Sequence, residues 1–170
     1  RHRPFHRREA LAAGISARVL EGVQFVRIHE AVYRYRHHRM SFADEVTAAG
    51  LALPDGARTT GLTRLRQAGL EYGNADQLRF VVQGDHHLAI PGVFLHRTVL
   101  MPPCDDIGVT TTAAYVAYCA EARAIDAVKV GCWLLHHELL DFDELHVLLT
   151  EQKWRRGCAE AAWALPHLDG

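Results

Sequence analysis

The stretch that decides the fold is residues 5–35, FHRREALAAGISARVLEGVQFVRIHEAVYRY. It predicts a short helix that stops at Gly14, a second short helix that begins after Ser16, and a hairpin over residues 23–35. The hairpin segment is rich in β-branched and aromatic side chains and is expected to reverse near His29. Two short helices followed by a hairpin are typical of a winged helix-turn-helix.

Three apolar side chains are expected to hold the two short helices together. Ile15 lies between the helices, and Val19 and Leu20 lie on the second one. All three are therefore predicted to face a small core.

The charge of the chain is divided unevenly along its length. Residues 1–39 contain nine Arg and three Glu, a formal charge of +6, whereas residues 40–170 contain ten Lys and Arg against seventeen Asp and Glu, a formal charge of −7. A basic head on an acidic body indicates one segment that meets an anion, most often the phosphate backbone of nucleic acid. A solvated basic terminus is the alternative interpretation.

The candidate DNA contacts lie on the predicted helices and hairpin. A helix-turn-helix places the start of its second helix in the major groove, the first helix against the backbone, and the wing near the minor groove or the phosphates. The hydroxyl and guanidinium groups in these positions are suited to phosphate and guanine. The predicted DNA-binding residues are Arg7, Arg8, Ser16, Arg18, Arg27 and Arg34. Structural and protein-binding winged helices share this pattern.

The rest of the chain predicts a mixed α/β domain with a helical C-terminal part. Asp44 three residues after Ser41 predicts a capping box, and Ile125, Val128, Cys132 and Leu135 predict one deeply buried helix face. The predicted helices cover residues 41–53, 60–68, 112 onward, 141–150 and 155–165, and the predicted strands cover 78–83, 93–99 and 109–111. The expected fold class is α+β, with a winged helix-turn-helix head over residues 1–39 and an α/β domain over residues 40–170.

Metal and cofactor sites are not expected. Cys104, Cys119, Cys132 and Cys158 are spaced too widely for a metal motif, so we expect buried free thiols. The adjacent histidine pairs at 37–38, 86–87 and 136–137 do not aim two ligands at one ion, and the pair beside Asp85 is the best exception. We expect no cofactor.

Catalysis within this chain and a membrane location are also not expected. The triplet Glu151-Gln152-Lys153 has the ExK spacing of metal-dependent nucleases, but it lies in a helical segment rather than on a strand. No run approaches the roughly 20 apolar residues of a membrane span, so a cytoplasmic protein is expected.

Three blocks of sequence, taken in order, carry motifs that belong together. The first is RPFHRREALAAGISARVLEGVQFVRIHEAVYRY, with its motif at Arg8, residues 10–14, Ser16, Arg18, Val32 and Tyr33. The second is LALPDGARTTGLTRLRQAGL, a proline-glycine turn and a helix. The third covers residues 93–135 and contains His96-Arg97, Val109-Thr110-Thr111 and Asp126-Ala127-Val128.

In this order, the three blocks resemble AbiEi-type antitoxins and their actinobacterial relatives. This resemblance implies a winged helix that binds double-stranded DNA and a domain that neutralises a nucleotidyltransferase-type toxin. Longer relatives carry an endonuclease domain related to very-short-patch-repair enzymes, and the first residue, Arg1, leads us to expect a fragment of a longer protein. Ala31 stands where the family has glycine, so a positive φ there would be strained.

The expected function is therefore a DNA-binding, antitoxin-like transcriptional regulator without catalysis in this chain. Two alternatives stay open: the targeting region of an endonuclease protein, and a scaffold whose acidic body binds a basic partner. The oligomeric state is not predicted.

Overall fold

The structure, a computed structural model, describes residues 3–73 and 76–169. Its described part is an α+β fold with two three-stranded sheets and eight α-helices. The strands are β1 (Phe5–His6), β2 (Phe25–His29), β3 (Val32–Tyr35), β4 (Arg58–Thr59), β5 (Leu78–Gln83) and β6 (Val93–Thr98). The helices are α1 (Arg7–Ala12), α2 (Ala17–Leu20), α3 (Phe42–Ala52), α4 (Gly61–Gln67), α5 (Thr111–Cys119), α6 (Ala124–His136), α7 (Phe142–Glu151) and α8 (Cys158–Ala164).

Within the head, residues 5–35 contain the two helices and the hairpin that the sequence predicts. Its sheet has the order β1-β3-β2 and is antiparallel throughout. His6 caps α1 in a capping box with Glu9, and Ser16 caps α2 by accepting a hydrogen bond from the Val19 N–H at 3.4 Å. The N-cap predicted at Ser16 is confirmed, although α2 has only four residues.

The packing of the head differs from the prediction at one residue. Leu20 is buried and Ile15 is half-buried, as expected, but Val19 is 47% exposed. Because α2 is a single turn, Leu20 and Val19 point in directions about 100° apart, and only one of them can face the core. The prediction that Val19 packs inward is wrong.

The second sheet has the order β4-β5-β6, in which β4 and β5 are antiparallel and β5 and β6 are parallel. The prediction of a third strand over residues 109–111 is wrong. Val109 forms only an isolated bridge with Cys104, and Thr110 caps α5 by accepting from the Ala113 N–H at 3.1 Å. The side-chain cap therefore stabilises this segment as the start of a helix rather than as a strand.

Helix α3 lies between the two sheets. It contacts all three strands of the head. Val46, Ala49 and Leu53 on α3 pack against Phe80 of β5 in a small core. The capping box predicted at Ser41 and Asp44 is confirmed, with reciprocal hydrogen bonds of 3.2 and 2.9 Å. The head thus rests directly on the part of the chain that follows it.

The main core is built by the C-terminal helices around Tyr115, Leu134 and Leu145, together with Val81 of β5. The prediction of the buried face of α6 is wrong, because Ile125 is 56% exposed. The buried residues of α6 are Ala127, Val130, Gly131 and Leu134, which lie on the side that contacts α5 and α8. Apolar residues occupy more than half of the α6 circumference, so their spacing alone fits two helix faces.

The last helix begins three residues later than predicted. Residues 155–157 form turns, and α8 starts after Gly157, whose φ is +91°. A Cβ at this position would lie 1.8 Å from the backbone oxygen of Val116 on α5. Glycine therefore allows the start of α8 to approach the α5 backbone.

All four cysteines lie in the described part and are free thiols. Cys119 and Cys158 are buried, Cys132 is half-buried, and Cys104 is exposed, so the expectation of burial fails at Cys104. Burial raises the pKa of Cys119 to about 12, so this thiol stays protonated and unreactive. Over residues 3–73 and 76–169, every helix is too short or too polar to cross a bilayer.

Candidate nucleic-acid interface

Three exposed arginines of the head lie on its two helices. Arg7 and Arg8 occupy the first turn of α1, and Arg18 lies on α2. All three are exposed, and none forms a side-chain hydrogen bond or an ion pair with another described residue. Their guanidinium groups are therefore available to an external anion.

The start of α1 lies beside the turn of the hairpin. The backbone N–H of Arg7 donates to the carbonyl oxygen of Ala31 at 2.7 Å, and β1 pairs with β3 immediately before it. Ala31 has a φ of +55°, the conformation in which a Cβ is unfavourable. The hairpin thus keeps the tight turn that glycine would favour, and this turn places Arg7 and Arg8 near the hairpin tip.

Arg27 and Arg34 lie on opposite faces of the hairpin. Arg27 is directly opposite Tyr33, and Arg34 is opposite Val26. Successive residues of a strand point to opposite faces, so Arg34 faces away from Tyr33 and Arg27. The structure therefore does not bring the two hairpin arginines to one surface.

The guanidinium group of Arg34 is also occupied by the backbone. One of its terminal nitrogens donates to the carbonyl oxygens of Tyr35, Arg36 and His38, at 3.3, 2.9 and 2.7 Å. Arg27 is exposed and makes a single hydrogen bond, from Nε to the carbonyl oxygen of His29 at 3.3 Å. Arg27 therefore resembles the helix arginines in its availability, whereas Arg34 organises the segment after the hairpin.

Four aromatic rings share the hairpin face that carries Arg27. Phe5 contacts Phe25 edge to face with centroids 5.6 Å apart and stacks on Tyr33 at 6.3 Å, and Phe25 contacts Tyr35 at 6.2 Å. Aromatic pairs of this kind stiffen a short sheet beyond their buried area. This cluster was not predicted from the sequence, although the alternation of Tyr33 and Tyr35 along β3 is a signal for it.

His29, at the end of β2, and His38, after the end of β3, lie in different surroundings. Burial lowers the pKa of His29, so this side chain is neutral at pH 7. His38 instead lies 3.0 Å from the carboxylate of Asp44. Hydrogen bonds from Ser41, together with the His38 contact, hold the pKa of Asp44 below its ordinary value. This contact ties the segment after the hairpin to the start of α3.

The remaining chemical candidates of the sequence are the loop around Asp85 and the ExK triplet at residues 151–153. Asp85 binds Arg97 at 2.5 Å and His87 at 3.3 Å. Among the residues with described positions, no group of three His, Cys, Asp or Glu side chains converges as metal ligands. The ExK triplet spans the last residue of α7 and the following turn, so the prediction that it does not lie on a strand is confirmed.

The chain was compared with models of known protein families and with curated proteins, and it matches none of them. Its function is therefore inferred from the geometry of the head and from the motif resemblance.

Proposed function

We propose that this protein is a DNA-binding regulatory module of the antitoxin type, whose head acts as a short winged helix-turn-helix on double-stranded DNA. The observation that carries the proposal is the set of exposed arginines on α1 and α2 that have no partner in the described part of the chain: Arg7, Arg8 and Arg18. Uncompensated guanidinium groups within residues 1–39, which have a formal charge of +6, fit a phosphate backbone.

The short second helix favours phosphate contacts over base reading. Helix α2 spans Ala17–Leu20, which leaves one turn to enter a major groove. The Ser16 oxygen accepts the Val19 N–H as the N-cap, so its hydroxyl hydrogen can still donate to a phosphate. Contacts of this kind position a protein on DNA but carry little sequence information.

The hairpin contributes a contact through Arg27 and not through Arg34. Arg27 is exposed on the aromatic face, while Arg34 is held by three backbone carbonyls. In this proposal the DNA-contacting residues are Arg7, Arg8, Ser16, Arg18 and Arg27. The acidic remainder, residues 40–170, would then meet a nucleotidyltransferase-type toxin, as the resemblance implies, and would not contact DNA.

Fluorescence anisotropy with a labelled duplex of about 30 base pairs tests the proposal. The double variant Arg18→Ala/Arg27→Ala should weaken binding about tenfold at roughly 100 mM salt, because two phosphate contacts are lost. The matched control is Arg58→Ala/Lys153→Ala, which removes two exposed cations from the acidic body and should stay within about twofold of wild type. Absence of binding at low salt, or equal losses in both variants, would contradict the proposal and favour a scaffold without DNA contact.

A further inference from the structure

A small apolar pocket lies far along the chain from the head, between the second sheet, α5 and the end of α7. Its floor is formed by Val81 of β5, Val116 of α5 and Leu148 of α7, and its volume is about 170 Å³. Sites for drug-sized molecules have volumes of roughly 300–1,000 Å³. The pocket is therefore suited to a single apolar side chain rather than to a whole nucleotide.

The rim of this pocket is cationic, although residues 40–170 as a whole are acidic. Arg97, Arg155 and Arg156 all line it. Arg97 is paired with Asp85, and Arg155 donates to the backbone oxygens of Leu100 and Met101. Arg156 is exposed and has no hydrogen bond or ion pair within the described ranges. One guanidinium group beside the pocket is thus available to a carboxylate.

Apolar side chains are exposed around the mouth of the pocket. Val99 is 81% exposed, and Leu100 lies beside it on the same exposed loop. Trp154 lines the pocket, is 54% exposed, and is stacked by the Arg155 guanidinium, whose carbon lies 4.5 Å from the ring centroid. Tryptophan and arginine beside a pocket are the residues most enriched at the energetic centres of protein interfaces.

We propose that this pocket is a docking site for a segment of a partner protein that presents one apolar side chain with a carboxylate beside it. The apolar side chain would fill the space between Val81, Val116 and Leu148, and a carboxylate would pair with Arg156. Trp154 and Val99 would cover the rest of the segment. A volume of about 170 Å³ admits one side chain but not a nucleotide, which disfavours a nucleic acid strand here.

His96 adds a polar group to the pocket wall. It lines the cavity, and burial together with the nearby charge of Arg156 lowers its pKa, so the ring is neutral at pH 7. A neutral imidazole offers one donor and one acceptor to the docked segment without repelling Arg156. The site belongs to the body, so it stands independently of DNA binding by the head.

Nuclear magnetic resonance titration of the ¹⁵N-labelled protein tests this inference. The probe is the acetylated, amidated peptide Ser-Asp-Leu-Asp-Glu-Ser, and the control peptide replaces each acid by its amide. The acidic peptide should shift backbone signals near residues 96–100 and 154–156 and bind at least about tenfold more tightly than the amide peptide. Arg156→Glu should abolish the shifts, whereas the matched variant Arg58→Glu, an exposed charge reversal on β4, should preserve them.

Three results would overturn the inference. The first is that neither peptide shifts these signals at the highest soluble concentration. The second is that acidic and amide peptides bind equally. The third is that the same signals change with protein concentration alone, which would assign the pocket to a second copy of the chain. The spectra of both variants also show whether each is folded.

Discussion

Arg34 was predicted to contact DNA because of its charge, but its guanidinium group donates hydrogen bonds to the backbone. Three carbonyl oxygens after the hairpin accept from its guanidinium group, and two of them belong to Arg36 and His38 beyond the end of β3. Replacing Arg34 by Ala should lower the free energy of unfolding by about 2 kcal/mol, because hydrogen bonds from a charged group are lost.

Urea denaturation followed by circular dichroism measures that loss. Arg27→Ala is the matched control, since Arg27 makes one long hydrogen bond from an exposed position, and it should change the free energy of unfolding by less than about 0.5 kcal/mol. Equal effects of the two variants would contradict the structural role of Arg34.

Ala31 carries backbone strain at the hairpin turn. Its φ of +55° disfavours any residue with a Cβ, and its carbonyl oxygen accepts from the Arg7 N–H. Replacement by Gly should therefore raise the free energy of unfolding by about 1 kcal/mol. A thermal melt of the Ala31→Gly variant checks this, and a lower melting temperature than wild type would show that the turn is not strained.

At the scale of elements, Gly157 joins two helices of the main core. A methyl group there would collide with the backbone oxygen of Val116, and backbone atoms cannot move aside cheaply. Gly157→Ala should cost about 3 kcal/mol or more of unfolding free energy. Gly56→Ala is the matched control, since Gly56 has a φ of +87° and open space around it, and its cost should be about 1 kcal/mol. Equal costs measured in urea would mean that contact with α5 does not matter.

The elements with strong local signals were predictable from the sequence. Ser16 and Ser41 cap helices as predicted because a side-chain oxygen and nearby N–H groups decide the local conformation. The strand at Arg58–Thr59 was not predicted, because two residues carry no periodicity and the pairing with β5 is a tertiary contact. The buried face of α6 was missed for a related reason, since α6 has several apolar faces and its packing against neighbouring helices determines which one is buried.

At the scale of the whole molecule, the division of charge was visible in the sequence, but its geometry was not. The faces on which Arg27 and Arg34 lie depend on which residues of β2 and β3 are paired. The pairing also contains an irregularity between Arg27 and His29. The pocket beside Trp154 was equally hidden, because the elements that line it are far apart in the chain.

The salt dependence of DNA binding tests the central claim most directly. Anisotropy titrations between about 50 and 300 mM salt give the slope of log K against log salt, which is about −0.9 for each phosphate contact on duplex DNA. With Arg7, Arg8, Arg18 and Arg27 at phosphates, the expected slope is about −3 to −4, and Arg18→Ala/Arg27→Ala should reduce its magnitude by about 2. A wild-type slope near zero, or an unchanged slope in the double variant, would contradict DNA binding by the head.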